Sequence, residues 1–530
     1  MTSSALHKLQ SFHQELYQHA LGATHHIFAM NTAEISAYSK NFYASLPKSF
    51  SYSSLDQLTD QIKTAQFMLF GDFHTLLQSQ RGFLRILRQI SQTHAAQDLM
   101  VALEIFCAED QGLIDEFLAN KISEATFLEK IDYHNKWGFP WEHYQPIIAF
   151  CKLHKIRIAG INSQFNTPNS LILRDSFAAE ILNRWTTAHP DQLCLCLIGE
   201  YHLADRHLLA HITPHAKTIR VVNNIDDYYF SSNSLPTEST EYLQLAQDFF
   251  CVLNTAPWIK WQSLAFWEEL HSNKVLTSGE DYDPYTEQHY DFDYQLLRIL
   301  KDLNQFMNLD LDGATLSQFN LYIRPDRDTL DHIKTKLKVS RSEFNTIEQR
   351  INSHGIAYRS ASCIAIINDL NINRFTEIAG YYLYDKIRQL NDDRHFSLLE
   401  RIERQICGTI TSLIMNPRKA SKWPLDFALN RASQLRNDQK LSLLLYHELI
   451  HRPERVWQNL VRWEYMDQEH DLLISRQTAE IIGHDIFCHI IEEESQHLEE
   501  NLRQTMQFSL PKLLERWVVK ANLQSVAPFT

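Results

Sequence analysis

The sequence lacks the segments that direct a chain into or across a membrane. No run of apolar residues approaches the roughly 18 that a spanning helix needs. The first residues, MTSSALHKLQSFHQELYQHALG, do not show a basic start followed by an apolar core and a cleavage site. The eight cysteines are scattered and form no C-x-x-C pair, which is typical of reduced core thiols. We therefore expect a soluble, cytoplasmic protein without a membrane span.

Basic residues are fewer than acidic residues in this sequence. The chain has 50 Lys and Arg against 64 Asp and Glu, a formal net charge of −14 at pH 7. Nucleic acids and anionic lipid surfaces both attract proteins through a basic face. The charge balance thus gives no indication of a nucleic-acid partner.

The chain is long enough for more than one domain, and its two halves differ in pattern. Hydrophobic residues make up 44% of the 530 residues, as in folded globular proteins. In the first half, helical stretches alternate with short apolar runs: FMLF (67–70), LMVALEIF (99–106), IRIAGIN (156–162), LCLCLIGE (193–200), TIRVVNN (218–224) and FFCVLNT (249–255). This alternation predicts an α/β domain, a mostly parallel sheet with helices on both faces.

Long helical segments rich in Leu, Ile, Glu, Arg and Gln begin near residue 275. They predict an all-helical C-terminal region. The acidic and aromatic stretch 277–294 is interpreted as a boundary loop. We expect an α/β domain with an N-terminal helical extension at 1–275 and a helical domain at 276–530.

Two of the predicted strands end in the same pattern, glycine, acid, aromatic, histidine. It reads GDFH at residues 71–74 and GEYH at residues 199–202, and Glu104 lies near the end of a third strand. Ligands of open parallel sheets bind beyond the carboxyl ends of the strands. In an extended chain, side chains two residues apart point the same way, so we expect Asp72 beside His74 and Glu200 beside His202. All of these side chains are then expected at the same edge of the sheet, where the carboxyl ends of the strands form a rim.

The chemistry of this set leaves two roles open. Mixed nitrogen and oxygen donors from Asp72, His74, Glu104, Glu200 and His202 suit a divalent ion such as zinc, manganese or iron, which activates bound water. Without a metal, a histidine oriented by a carboxylate is a general base, with His74, Glu104 and His202 as catalytic candidates. Against both stands a structural role, because carboxylates at strand ends often cap helices.

The residues also resemble a known family. GDFHTLLQSQR, VALEIFCAEDQGLIDEFL, WGFPWEHYQPIIAFCKLHKIRIAGINSQ and LIGEYHLADRHLL are similar, in this order, to the ChaN-like haem-binding family, part of a superfamily with the erythromycin esterases and TraB/Tiki-type proteins. The resemblance covers about residues 60–270. It implies an α/β sheet domain with a paired G-x-x-H site and an intervening glutamate, matching His74, Glu104 and His202. Members of that superfamily divide between haem binding and hydrolysis.

Haem would need an axial donor and an aromatic slot. The candidate haem-binding residues are Tyr201, His202 and Tyr144, with Tyr133 and His74 as further donors. Trp258, Trp261 and Trp267 are interpreted as packing residues, because aromatics at helical spacing usually fill a core.

A zinc motif is also present in the second half. His447-Glu448-Leu-Ile-His451 matches H-E-x-x-H, which places two ligands on one face of a helix. The following Arg452-Pro453 should end that helix at the second histidine. Whether this motif binds zinc stays open.

The leading hypothesis is a ChaN-like ligand-binding protein with a haem or divalent metal ion at the strand ends. The alternative is a metal-dependent or His-activated hydrolase of esterase or peptidase type at the same site. A non-catalytic interaction protein is a third hypothesis. Its expected partners are haem or a small molecule, and homo-oligomerisation through the helical region is left open.

Overall fold

The computed structural model describes most of the chain in fourteen stretches. They are residues 4–24, 32–163, 170–214, 216–232, 240–276, 288–323, 325, 327–337, 340–368, 371–390, 398–419, 437–451, 468–492 and 497–518. Most of the expected boundary loop, residues 277–287, lies outside them, as do the side chains of His447 and His451. Within these stretches no helix combines the length and the apolarity that a bilayer crossing requires.

The chain forms two compact units, and the first is an α/β unit within Glu15–Ser232 and Thr240–Val275. Its strands are β1 (Ser51–Ser53), β2 (Phe67–Asp72), β3 (Leu99–Cys107), β4 (Arg157–Asn162), β5 (Leu193–Gly199), β6 (Thr218–Asn223), β7 (Glu241–Ala246) and β8 (Phe249–Leu253). Its helices are α1 (Ser4–Ala23, which begins in the other unit), α2 (Ala33–Ser45), α3 (Leu55–Ile62), α4 (Leu77–Ile90), α5 (Gln111–Leu118), α6 (Glu124–Lys130), α7 (Tyr133–Lys136), α8 (Trp141–His154), α9 (Ser170–Ala188), α10 (Leu208–His211), α11 (Asp226–Ser231) and α12 (Pro257–Leu276). Short 3₁₀ turns cover Ala96–Asp98, Ala108–Asp110 and Glu200–Leu203.

The eight strands form one sheet in the order β1-β7-β8-β6-β2-β5-β3-β4. Strands β8, β6, β2, β5, β3 and β4 run parallel, whereas β7 pairs antiparallel with β8 and β1 antiparallel with β7. All six strands expected from the sequence are present in this parallel part. The predicted fold class is therefore confirmed, with two antiparallel edge strands added.

The parallel strands are near-continuous apolar runs because they are covered on both faces. Every residue of β2, β3 and β5 is buried. Helix α4 packs on the sheet through the apolar face that includes Phe83, Leu87 and Ile90, at helical spacing. The core thus holds the neighbouring strands β2 and β5 in place, and their carboxyl ends stay in register.

The second unit contains Met1–Gln14 and the described residues of Leu276–Thr530. Its helices are α13 (Gln288–Phe306), α14 (Gly313–Leu316), α15 (Arg327–Leu337), α16 (Arg341–His354), α17 (Ile372–Ile387), α18 (Leu398–Met415), α19 (Asn437–His451), α20 (Gln468–Glu492), α21 (Leu498–Gln507) and α22 (Leu510–Leu513), followed by a π turn at Leu514–Val518. A small sheet of β9 (Asn320–Ile323), β10 (Ile356–Arg359) and β11 (Ile364–Ile367) lies among them, in the order β10-β11-β9. The region is predominantly helical, as expected, and the sequence did not indicate this sheet.

Helices α17 and α18 approach each other closely at two glycines. A Cβ on Gly408 would lie 2.5 Å from the ring of Tyr381, and one on Gly380 would lie 2.6 Å from Cα of Gly408. Beside this contact, the buried carboxylate of Glu377 accepts hydrogen bonds from Tyr381 at 2.7 Å and from Arg476 at 3.0 Å. The interior of this unit therefore combines close backbone packing with a buried ion pair.

Candidate functional site

The two Gly-acid-aromatic-His corners lie side by side. Strands β2 and β5 are parallel neighbours, and Asp72 is opposite Gly199 in their register. A Cβ on Gly71 would lie 3.1 Å from both Cα and Cβ of Glu200, so only glycine leaves this corner undisturbed. The sheet brings together the two segments that the sequence places far apart.

Asp72 ends β2 as a buried acceptor that four side chains approach. Its Oδ1 accepts hydrogen bonds from Ser79 at 2.9 Å and from Gln80 at 2.6 Å, both on α4. Its Oδ2 accepts from the hydroxyl of Tyr144 at 2.7 Å and lies 2.9 Å from Nδ1 of His74. With four partners in fixed positions, the carboxylate is a rigid support for the His74 ring.

His74 is the more accessible imidazole of the pair. Its side chain is 22% exposed, and that of His202 is 7% exposed. When neutral, the ring donates Nδ1–H to Asp72 and keeps a lone pair on Nε2. Among the described residues, Nε2 has no hydrogen-bond partner, and the nearest carboxylate oxygen, on Glu104, is 3.9 Å away. Burial acts to lower the pKa of His74, but the hydrogen bond and charge of Asp72 raise it overall.

Aromatic side chains flank the partly exposed ring of His74. Trp137 and Phe139, in the segment between α7 and α8, each lie with their ring centroid 4.8 Å from that of His74. Phe139 in turn stacks on Trp267 of α12 at 4.8 Å. All three are half-buried, whereas Trp258 and Trp261 are buried as packing residues. A half-exposed aromatic wall therefore stands next to an imidazole.

Glu104 lies between the two imidazoles. Its Oε1 is 3.5 Å from Nε2 of His202, and its Oε2 accepts the backbone N–H of Gly199 at 2.6 Å. Burial disfavours the charged carboxylate, but the hydrogen bond and charge of His202 outweigh it and hold the pKa of Glu104 at about 2. Glu104 is thus ionised at neutral pH.

His202 is held from behind by a residue that the sequence did not indicate. Its Nδ1 lies 2.6 Å from Oδ1 of Asp175, which is fully buried in α9. The other oxygen of Asp175 accepts a hydrogen bond from the hydroxyl of Tyr38 on α2 at 2.5 Å. Burial acts to lower the pKa of His202, but hydrogen bonds to Asp175 and Glu104 raise it to about 10. His202 is therefore an imidazolium between two carboxylates.

Glu200 does not pair with His202 as expected. The strand ends at Gly199 and a 3₁₀ turn begins at Glu200, so the alternation of an extended chain does not apply. Both carboxylate oxygens of Glu200 instead accept hydrogen bonds from the buried ammonium of Lys260 at 3.0 Å. Burial raises the pKa of Glu200, and Lys260 offsets this only in part.

The tyrosines expected as haem donors differ in access. Tyr144 and Tyr133 are buried, and the hydroxyl of Tyr144 is taken by Asp72. Tyr201 is half-buried, with its ring near those of Phe42 at 5.5 Å and Tyr43 at 6.3 Å. Of this group only Tyr201 presents a partly accessible phenol.

The described part of the chain contains no group of three or more His, Cys, Asp or Glu side chains arranged to hold a metal ion. At the rim, Asp72, Glu104 and Asp175 each contact an imidazole, and Glu200 contacts Lys260. The expected divalent metal site is therefore not supported.

Comparison with known proteins gives one family and two solved structures. Residues 58–170 match the sequence model of the family described as "Haem-binding uptake, Tiki superfamily, ChaN". ChaN of Campylobacter jejuni, in a structure described as cofacial heme binding, is 15% identical over 38% of this chain and 91% of that chain, with a TM-score of 0.29. The type III effector HopBA1 is 14% identical over 34% of this chain and 87% of its own, with a TM-score of 0.25. No curated protein matches the chain.

The matched segment contains Asp72, His74, Glu104 and Tyr144, whereas the second corner with His202 follows it in sequence. The match over residues 58–170 confirms the resemblance of the α/β unit to the ChaN-like haem-binding family of the Tiki superfamily.

Proposed function

We propose that the α/β unit binds haem at the strand-end rim, with His74 as the axial donor. One observation carries the proposal. Inside the segment that matches a haem-binding family, a partly exposed imidazole is anchored on a buried carboxylate through Nδ1, and its Nε2 has no hydrogen-bond partner among the described residues. Haem iron takes an imidazole nitrogen as an axial ligand.

The surroundings of His74 fit such a ligand. An apolar ring system needs an aromatic wall, and Trp137 and Phe139 supply two half-exposed rings that contact both the imidazole and each other. A carboxylate on the second nitrogen fixes the ring orientation and raises the basicity of the donor nitrogen. Asp72 has that position, and Tyr144, Ser79 and Gln80 hold it there.

The other expected donors fit less well. His202 has Asp175 on one nitrogen and Glu104 near the other, and Tyr144 donates to Asp72. Each would have to give up a buried contact before it could bind iron. Tyr201 is half-buried and is the second choice.

A haem titration followed by the Soret band tests the proposal. We expect wild-type protein to saturate, His74→Ala to lose the band or shift it, and His94→Ala, which changes a half-buried histidine on the same unit, to behave as wild type. Phe139→Ala should weaken binding without removing the ligand signature. A band of the same position and affinity in His74→Ala would overturn the assignment, and its loss in Tyr201→Phe would move the ligand to the phenol.

A second candidate function is hydrolysis with His74 as the general base. The pairing of Asp72 with Nδ1 and the absence of a hydrogen-bond partner for Nε2 among the described residues are what a water-activating histidine requires. Ionised Glu104 lies 3.9 Å from that nitrogen, and protonated His202 lies 3.5 Å from the other oxygen of Glu104. Turnover of nitrophenyl esters by wild type and not by His74→Ala, with haem absent, would favour this function; no turnover above that of His74→Ala would exclude it for this substrate class.

A further inference from the structure

A cysteine and a lysine are in direct contact in the helical unit, at the turn between β10 and β11. Nζ of Lys386, in the last turn of α17, lies 3.4 Å from Sγ of Cys363. The same ammonium donates a hydrogen bond to the side-chain oxygen of Gln318 at 3.2 Å. Cys363 and Lys386 are both half-buried, so the pair is partly open to solvent.

The backbone around Cys363 holds the sulfur in this position. Strands β10 and β11 pair antiparallel as far as Arg359 and Ile364, and the turn at residues 360–363 joins them. The N–H of Cys363 donates to the carbonyl of Ser360 at 3.2 Å, and its carbonyl accepts the N–H of Asn320 on β9 at 2.9 Å. The contact between sulfur and ammonium is therefore set by the small sheet on one side and by α17 on the other.

The other seven cysteines of the chain are in less reactive surroundings. Cys488 is half-buried like Cys363, but burial raises its pKa to about 12. The remaining six are buried, and burial raises the pKa of each thiol: Cys107, Cys151, Cys194, Cys196, Cys251 and Cys407. Because the thiolate is the nucleophile, a thiol held in its neutral form by burial is inert.

An ammonium in contact with a cysteine sulfur assists oxidation in two ways. Its charge stabilises the thiolate, and it can donate a proton to a leaving group. Cysteines that are oxidised selectively are partly accessible and lie in electropositive surroundings. Cys363 combines this accessibility with the charge of Lys386.

We propose that Cys363 is a site of oxidation by hydrogen peroxide to sulfenic acid, with Lys386 as its cationic partner. After the thiol proton has passed to solvent, the sulfur attacks one peroxide oxygen. The S–O bond forms as the O–O bond breaks, and the departing hydroxide takes a proton from the ammonium and leaves as water. The sulfur is oxidised, the peroxide is reduced, and the amine regains a proton from solvent. This site does not depend on the proposed haem binding.

Trapping of sulfenic acid with dimedone tests this inference on the full, haem-free chain. The protein is treated with hydrogen peroxide and dimedone together, and peptide mass spectrometry measures the label on each of the eight cysteines. We expect label on Cys363 first, and none there in Cys363→Ser. Lys386→Gln should slow labelling of Cys363 by about threefold to tenfold, and Lys386→Arg, which keeps a cation, should be closer to wild type.

Two control variants separate this effect from general changes. Cys488→Ser removes the other half-buried thiol, and Lys301→Gln removes an exposed lysine of α13; both should leave the labelling rate of Cys363 unchanged. Circular dichroism checks that each variant is folded, and the ratio of label on Cys363 to label on Cys488 is an internal reference. No label on Cys363, equal label on Cys363 and Cys488, or a wild-type rate in Lys386→Gln would each overturn the proposal.

Discussion

Asp175 and His202 form a buried ion pair in which Oδ1 lies 2.6 Å from Nδ1. It joins helix α9 to the turn that follows β5, and Tyr38 extends it to α2. The position of His202 relative to Glu104 therefore depends on two helices as well as on the sheet. This contact makes the second corner part of a fixed framework.

Asp175→Asn should destabilise the α/β unit by about 2–4 kcal/mol, because it leaves a buried imidazolium with one carboxylate instead of two. Urea unfolding followed by circular dichroism measures the change. Asp191→Asn, at an exposed carboxylate, is the matched control and should have no measurable effect. Equal stabilities of the two variants would mean that the Asp175–His202 pair makes no net contribution to the free energy of unfolding.

The central sheet could be predicted from the sequence because its strands are continuous apolar runs. Runs such as LMVALEIF and LCLCLIG are apolar throughout, and only a doubly covered strand tolerates that pattern. Strand β1, Ser51–Ser53, has three polar or amphipathic residues at the edge and no such signal. Strands β10 and β11 have only four residues each, which is too few to tell the alternation of a strand from the 3.6-residue period of a helix. The sequence therefore did not distinguish them from the neighbouring helices.

The site was predicted only where local chain geometry decides it. Asp72 is the last residue of β2, His74 lies in the turn directly after it, and the two side chains pair as expected. Glu200 and His202 have the same spacing but lie in a 3₁₀ turn, which the sequence GEYH does not reveal. Asp175 lies within a helix, where nothing in the sequence distinguishes it from exposed acids, so this partner of His202 could come only from the tertiary structure.

Asp72→Asn should lower the affinity for haem by about 10- to 100-fold, because an amide supports the ligand imidazole less well than a carboxylate. The amide nitrogen of asparagine cannot accept a hydrogen bond, so the bonds that Tyr144, Ser79 and Gln80 donate to the two oxygens of Asp72 cannot all be kept. The Soret titration of this variant against Asp60→Asn, an exposed carboxylate paired with Lys63, measures the effect. Unchanged haem affinity in Asp72→Asn would contradict a supporting role for this carboxylate.

Gly408→Ala should destabilise the helical unit by about 1–3 kcal/mol, since its Cβ would overlap the Tyr381 ring. Gly313→Ala in the same unit meets no atom within 4 Å and provides the comparison. Thermal unfolding of the two variants separates a steric effect from the general effect of replacing glycine. Similar melting temperatures would show that α17 and α18 can move apart without cost.

Glu377→Gln should destabilise the helical unit most at neutral pH. Burial disfavours the charged carboxylate, but Arg476 and Lys419 outweigh it and lower the pKa of Glu377 to about 2. Because the folded-state pKa is below the unfolded value near 4.5, the stabilisation is complete above that value and is lost as the pH falls through about 2. We expect a difference of about 3 kcal/mol at pH 7 that shrinks towards pH 2.

Urea unfolding of wild type and Glu377→Gln from neutral to acidic pH measures this dependence. Glu515→Gln, at an exposed glutamate of the same unit, should track the wild type throughout. A difference between wild type and Glu377→Gln that is constant over this range would contradict the assigned ionisation.

Strand β5 lies between β2 and β3 in the sheet, although it follows both of them in the chain. During synthesis, β2 and β3 leave the ribosome before the strand that joins them exists. Their apolar edges then stay open until residue 199 emerges, and such edges recruit other chains or chaperones. The rim around His74 consequently cannot assemble before β5 has emerged, and ligand capture there reports that β5 has paired with β2 and β3.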